Sequence, residues 1–242
     1  MNEGFGQRLS SFPASLSLRV SDMLVCGVDD AGRGAVLGPL VLAGVLVDEE
    51  SITDLGSLGV KDSKLVSAGK RSRLAEGILR IVKKHDIVRL SPAEIDKVVE
   101  TGKRLHRLNR LEAHAMAEVI RSLKPDIAYV DASDVVAERF KQHILEELPF
   151  DVEIISEHKA DRTYPVVSAA SIVAKVHRDE VIAELRKGYG DLGSGYMSDP
   201  KTVGFLKEWM RVHQSYPEFV RESWKPAKKI KDDRNAFQGR LL

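Results

Sequence analysis

The sequence predicts an α/β fold built on a mixed sheet, and three observations predict it. Short β-branched runs alternate with segments of helical spacing along most of the chain. The first two runs are joined by a glycine-rich turn, as an early strand pair should be. The 242 residues are 43% apolar and 30% charged, enough for one large domain or a domain with a smaller appendage. The sequence shows no internal repeat and no low-complexity tract.

Residues 1–22 hold two arginines and no apolar core of the kind a secretory leader needs, so they read as a loosely held extension. The domain is expected over 23–198. Met23–Asp29 is a short apolar run ending in acid, followed by the glycine-rich DAGRGAVLGP and a second β-branched run, Leu40–Val47. GSLGVKDSK is expected to be a loop. Residues 68–84 and 91–100 carry helical spacing, and Ser91-Pro92-Ala93-Glu94 is a capping box with proline at the first helical position. Ile87–Leu90 is a short strand candidate between them. Arg104–Leu123 is an amphipathic helix with Leu105, Leu108, Leu111, Ala115, Val119 and Leu123 near one stripe.

Ile127–Asp131 repeats the form of the first strand, apolar residues and then Asp. Residues 133–148 read as a helix and Val152–Ser156 as a strand. Pro165–Arg186 is a helix whose first half is small and apolar almost all round, hence buried on most sides. Turn residues at 188–195 end it. Residues 199–242 form a basic helical C-terminal segment, with helices expected at 200–214 and 217–223 and the last dozen residues frayed.

The whole chain carries 37 Lys and Arg against 36 Asp and Glu, a formal charge of +1, but the charge is uneven. Residues 201–242 stand at +5 and the remainder at −4. A basic segment on a slightly acidic body is a weak nucleic-acid signal, and a solvated helix face reads as well. The single cysteine, Cys26, excludes an intrachain disulfide framework and a thiolate-built zinc site, and it fits a reducing compartment, so the cytoplasm is expected. No apolar run approaches the length of a membrane span, and no membrane partner is expected.

The chemistry centres on Val28-Asp29-Asp30-Ala31-Gly32-Arg33-Gly34. Gly32-x-Gly34-x-x-x-Gly38 is one residue too long for a dinucleotide fingerprint, and two carboxylates precede it where a pyrophosphate needs positive potential. A Walker A lysine and a Gly-x-Ser-x-Gly elbow are both missing. Cys26, mid-strand, reads as core rather than nucleophile, and the seven histidines show no paired zinc-ligand spacing. If phosphate approaches these acids, a hard divalent cation must neutralise them, and oxygen donors suit magnesium or manganese. Asp131 ends its strand as Asp29 ends the first, and strand carboxyl ends are where open α/β sheets bind ligands. Asp161 lies just before the buried helix. Singly, Asp131 could cap the following helix and Asp161 could be a plain helix N-terminal residue. Together with Asp29 and Asp30 they read as a two-metal site for phosphoryl transfer. Consecutive strand residues point to opposite faces, so Asp29 and Asp30 share one metal site only if the strand ends or bulges between them.

These blocks resemble ribonuclease HII in its archaeal form. The resemblance rests on GVDDAGRGAVLGPLV (27–41), GVKDSKLVS (59–67), YVDASDV (129–135), HKADRTYPVVSAASIVAKVHRD (158–179) and GSGYMSDPKT (193–202), in order and over nearly the whole domain. It implies the ribonuclease H-like fold, a five-stranded mixed sheet flanked by helices with a C-terminal helical segment. It implies a monomeric endoribonuclease that hydrolyses the RNA strand of RNA–DNA hybrids and nicks duplex DNA 5′ to an embedded ribonucleotide, leaving 3′-hydroxyl and 5′-phosphate ends. The family's acidic quartet falls on Asp29, Asp30, Asp131 and Asp161, with two divalent cations, Mg2+ or Mn2+. Gly32, Arg33 and Gly34 correspond to the backbone that senses the ribose 2′-hydroxyl, and Tyr196 to the tyrosine against the next deoxyribose. Glycines there admit close backbone approach, and the 2′-hydroxyl is the group that marks RNA. Arg33, Lys64, Lys159 and Lys175 are candidate phosphate contacts. The family's second acid is usually Glu, and Asp30 is one methylene shorter, which leaves a catalytically weakened hybrid-binding protein of the same fold as the alternative. Another phosphodiesterase of this fold, an exonuclease, is disfavoured by the GRG and GSGY blocks. Archaeal members can carry a C-terminal sliding-clamp peptide; residues 236–242 supply its Gln238 and an aliphatic residue but lack its terminal aromatic pair.

Overall fold

The computed structural model describes residues 23–60, 67–101 and 106–238. Five strands form one mixed sheet: β1 (Leu24–Ala31), β2 (Leu40–Asp48), β3 (Lys84–Leu90), β4 (Ile127–Asp131) and β5 (Glu153–Glu157), in the order β3-β2-β1-β4-β5. β1 pairs antiparallel with β2 and β2 with β3, while β4 lies parallel to β1 and β5 parallel to β4. β2 is buried from Leu40 to Val47, as a central strand covered on both faces must be. β3 extends three residues earlier than the sequence predicts, and its polar Lys84, His85 and Arg89 suit a sheet edge.

The helices are α1 (Ile52–Ser57), α2 (Ala68–Ile81), α3 (Pro92–Glu100), α4 (His106–Leu123), α5 (Ala137–Leu145), α6 (Ala160–Thr163), α7 (Pro165–Tyr189), α8 (Pro200–Val212) and α9 (Lys225–Gln238). The capping box on α3 forms both of its reciprocal bonds, Ser91 to the Glu94 amide and Glu94 to the Ser91 amide.

Strand alternation sorts the core into two layers. Cys26, Val28, Leu40, Leu42, Leu46, Ala128 and Val130 face α4 and α5 with Met116, Ile120, Phe140 and Ile144. Val25, Val41, Ala43, Val45 and Val47 face α7, α1 and α2, with Val166, Val167, Ala170, Ile172 and Ile78. Two glycines let helices sit close on the sheet. A Cβ at Gly27 would lie 2.6 Å from Val167 N and nearer still to the Val166 carbonyl, so α7 rests directly on β1. On the other face, a Cβ at Gly44 would meet Val119 and Leu123 of α4.

The C-terminal segment departs from the sequence prediction. Residues 217–223 are not helical. They form turns and a short bridge to the glycine-rich turn, with Val220 opposite Leu37, the Gly38 amide donating to Phe219 O and the Arg221 amide to Val36 O. Phe219 and Val220 fill a third apolar cluster with Val36, Leu37, Leu192, Leu206, Met210 and Tyr216. Pairing and burial here override local helix propensity. The helix forms later, as α9, over most of the residues expected to fray; Gly239–Leu242 lie outside the described residues.

Candidate active site

β1 runs through Asp29 and Asp30 to Ala31 without a bulge, its register pairing Asp29 with Ala43 and Asp30 with Leu42. The two acids therefore point to opposite faces. Asp29 follows Val25 and Gly27 onto the α7 face, and Asp30 follows Cys26 and Val28 onto the α4 face. The β1–β4 register pairs Val28 with Val130, so Asp131 emerges beside Asp29. α6 brings Asp161 to the same face, and Asp131 Oδ1 accepts from the first α6 amide, Ala160 N, at 3.3 Å. One carboxylate oxygen from each of Asp29, Asp131 and Asp161 lies within 4.8 Å of the others. Asp30 stands outside this triple, accepting from Ser133 Oγ at 3.1 Å.

The two acids of β1 are destabilised as carboxylates. Burial, and then the charges of Asp30 and Asp131, push the Asp29 carboxyl well above the ordinary carboxylate range, while a bond from Ser171 and the charge of Lys175 pull it back. Burial also raises Asp30, against the bond from Ser133 and the charge of Arg33. Lys175 Nζ donates to Ser171 Oγ at 2.6 Å, so this lysine is directed at the carboxylates by the helix that carries it. Oxygen-only donors that repel one another in a partly desolvated pocket fit a hard divalent cation, which would relieve the repulsion.

The turn after β1 is built from Gly32, Arg33 and Gly34. Gly32 has φ +93°, and a Cβ there would meet the Arg178 side chain and Pro39 O, so only glycine fits. Gly34 is exposed, and a Cβ on it would meet nothing within 4 Å, which leaves its backbone open to a ligand. Arg33 is half-buried and its side chain turns back onto α4. Its Nε donates to Glu112 Oε1 at 2.7 Å and its Nη2 to Asn109 Oδ1 at 2.8 Å, both on α4. Tyr196, half-buried, stacks under the buried guanidinium of Arg178, 4.7 Å from the ring centre. Arg178 in turn donates to Leu37 O and Ser194 O. A groove of about 430 Å³ runs beside them, lined by Ser72, Arg178, Ile182, Arg186, Ser194 and Tyr196. Lys159 is exposed, in the left-handed region at φ 60°, two residues before Asp161. Lys64 lies outside the described residues.

Sequence reasoning missed the buried polar residues that hold these pieces. Asn109 and Glu112 lie one turn apart on α4, and Arg178 and Arg221 are buried arginines. Asn109 and Glu112 directly follow Leu108 and Leu111, so they are polar residues at core-facing spacing, a signal legible in the sequence. Arg221 gave no such signal, because its segment was read as a helix.

The description "Ribonuclease HII" belongs to the family profile that matches residues 26–227. Ribonuclease HII of Methanocella arvoryzae is 46% identical over 219 residues, 90% of this chain and 95% of its own. The crystal structure of the ribonuclease H2 from Pyrococcus horikoshii OT3 superposes with a TM-score of 0.81 at 41% identity, covering 88% of this chain and 99% of that one. The ribonuclease HII solved in complex with PCNA from Archaeoglobus fulgidus gives 0.76 at 42% identity, covering 84% and 96%. With a profile match across most of its length, relatives this similar and the five-stranded mixed sheet they share, the chain belongs to the ribonuclease HII family.

Proposed function

We propose that the protein is a divalent-metal-dependent endoribonuclease. It hydrolyses the RNA strand of RNA–DNA hybrids and nicks duplex DNA 5′ to an embedded ribonucleotide, leaving 3′-hydroxyl and 5′-phosphate ends. The observation that carries this reading is the convergence of Asp29, Asp131 and Asp161 beside a turn whose Gly34 backbone is open. Asp29, Asp131 and Asp161 would hold a divalent cation, and Asp30 is proposed as the fourth acid of a two-metal site. When bound, Mg2+ or Mn2+ supplies activation of water and stabilisation of the leaving 3′-oxygen.

The chain's own residues do the recognition. The backbone of Gly32, Arg33 and Gly34 meets the ribose 2′-hydroxyl, and the Tyr196 ring, held by Arg178, packs against the following deoxyribose. Lys175, anchored on Ser171, and Lys159 neutralise phosphate near the carboxylates, and Lys64, outside the described residues, is proposed as a further phosphate contact. The Arg33 side chain braces its own turn through Nε and Nη2, and its remaining N–H groups, on a side chain 36% exposed, are proposed to meet phosphate. Residues 236–242 are proposed to meet a sliding clamp, a reading supported by the relative solved with PCNA. The enzyme is proposed to be a cytoplasmic monomer, and no helix among the described residues is long and apolar enough to cross a membrane.

The test is nicking of a duplex bearing one ribonucleotide, in Mg2+ and in Mn2+, with Asp131→Asn as control. Metal-dependent cleavage at the ribonucleotide, lost in Asp131→Asn, is expected. Binding of the hybrid without cleavage would favour the weakened, non-catalytic reading that the short side chain of Asp30 raises, and end-digestion of all-DNA strands would favour an exonuclease. Wild-type cleavage by Asp30→Ala would remove Asp30 from the metal site.

A further inference from the structure

The ribose-sensing turn and the metal-carboxylate loop come from different strands, yet one buried polar chain ties them together. Arg33 donates from Nε to Glu112 Oε1 at 2.7 Å and from Nη2 to Asn109 Oδ1 at 2.8 Å. Asn109 also bonds the side chain of Asp134. Asp134 accepts from the Val136 amide at 3.0 Å and from Arg139 Nε at 2.9 Å, which fixes the loop that follows Asp131. In the same loop Ser133 holds Asp30. On the other side, the fully buried Arg221 donates to Arg33 O at 2.9 Å and Gly38 O at 3.1 Å, pinning the turn's backbone. Asn109, Glu112 and Asp134 are all at least nine-tenths buried.

We infer that Asn109 and Glu112 of α4 are positioning residues that lock the 32–34 turn in register with the 131–134 loop, so that ribose recognition and the metal site move as one unit. The inference rests on the function proposed above. Asn109 is the joint, because its amide satisfies one partner from each loop: its oxygen accepts a hydrogen bond from Arg33 and its nitrogen donates one to Asp134. A planar guanidinium reaching two fixed, buried acceptors has one orientation, which lysine cannot reproduce. The bonds of Asn109 and Glu112 run to Arg33 and Asp134, not to the carboxylate triple. Their effect is transmitted through Arg33 and Asp134, and a misplacement of about 1 Å at the turn is enough to lower turnover roughly 100-fold.

The test compares Asn109→Ala, Glu112→Ala, Glu112→Gln and Arg33→Lys on a duplex with a single ribonucleotide. Two readouts are taken: kcat and KM separately, and, in an Asp131→Asn background, the ratio of Kd for the all-DNA duplex to Kd for the ribonucleotide duplex. Loss of the Arg33 bonds is expected to cut that ratio by about tenfold or more and to lower kcat together with it. Glu112→Gln keeps an acceptor for Arg33 Nε and is expected to restore both to within about threefold of wild type. A merely structural role would lower thermal stability and leave the ratio unchanged. Arg33→Lys keeps the charge at a position 36% exposed, so it tests the joint even where an α4 variant does not fold. Unchanged ratio and kcat in folded Arg33→Lys, or equal losses in Glu112→Ala and Glu112→Gln, overturn the inference. Absence of nicking by the wild type overturns the proposed function instead.

Discussion

Gly27→Ala tests whether close helix-on-strand packing sets the carboxylate geometry. The added methyl would lie 2.6 Å from Val167 N and nearer to the Val166 carbonyl carbon and oxygen. Ordinary carbon contacts begin near 3.5 Å, so α7 must retreat by about 1 Å or β1 must bend. The obstructing atoms are backbone, which no rotamer change relieves. Overpacking of this kind costs about 1–3 kcal/mol, and with backbone in the way the upper end, about 3 kcal/mol, is expected. At about 2–4 °C per kcal/mol for a chain of this size, Tm should fall by roughly 6–12 °C. The same shift displaces Ser171 and Lys175 from Asp29 and moves α6, with Asp161, away from Asp131. Activity at a temperature where the variant is folded should therefore drop about 100-fold. Differential scanning calorimetry and the nicking assay measure the two effects. A Tm within about 2 °C of wild type, with activity retained, would refute the claim that α7 rests on β1 at this glycine.

Gly34→Ala is the matched control: a Cβ there meets nothing, so Tm should stay within about 1 °C while ribonucleotide cleavage falls, and retained cleavage would mean that the substrate does not approach that backbone. Burial pushes the Glu112 carboxyl up to about 8, past the pull of Arg33, so between about 4.5 and 8 the folded state holds a proton the unfolded state has released. Wild-type stability relative to Glu112→Gln should then fall as pH rises through that window, by up to about 4 kcal/mol at pH 8, and a pH-independent difference in melting would count against it. Saturating Mn2+ should raise Tm by roughly 5–10 °C in the wild type and little in Asp131→Asn, and equal shifts in the two would dissociate the cation from the carboxylate triple. Asp30→Glu should raise activity or lower the metal concentration needed for it, since the longer side chain reaches farther from its face of β1; a loss of activity would show that the Ser133 bond requires the shorter acid.

Much of this architecture was legible because periodicity and chemistry agreed. β4 ends at Asp131 as predicted, and the α3 capping box forms as its four residues dictate. The small, apolar first half of α7 announced its burial. Three features were not legible. Whether β1 stopped at Asp29 or continued depended on β2, whose Val41 and Leu42 pair with Ala31 and Asp30. That pairing separates the two adjacent acids onto opposite faces, a result no local pattern encodes. The segment at 217–223 has helical composition, but its fate was set by Leu37, 183 positions away from Val220 in the chain, and by the carbonyls that Arg221 satisfies. Arg33 read as a candidate phosphate contact from the resemblance carried by its glycine-rich turn. Its buried partners come from α4, and only tertiary structure brings Glu112 beneath it.

The uneven charge of the chain takes a different meaning once its partners are known. The +5 of residues 201–242 suggested a basic face for nucleic acid. Four of those cations are paired to acids, Lys201 to Asp191, Arg211 to Glu208, Lys228 to Glu100 and Lys231 to Glu222. Arg221 is buried and spends its charge on backbone carbonyls of the turn. Burial even lowers its guanidinium to about 10, a cost offset by the bonds it makes to Arg33 O and Gly38 O. The segment's excess charge therefore does two kinds of work. The exposed pairs are worth little each and can exchange partners with phosphate at small cost. Arg221 cannot exchange, because leaving it would strand two carbonyls and break the turn that carries Gly34. The basic C-terminal segment is thus tied through Arg221 to the glycine-rich turn after β1, and one of its cations is committed to holding that turn in place.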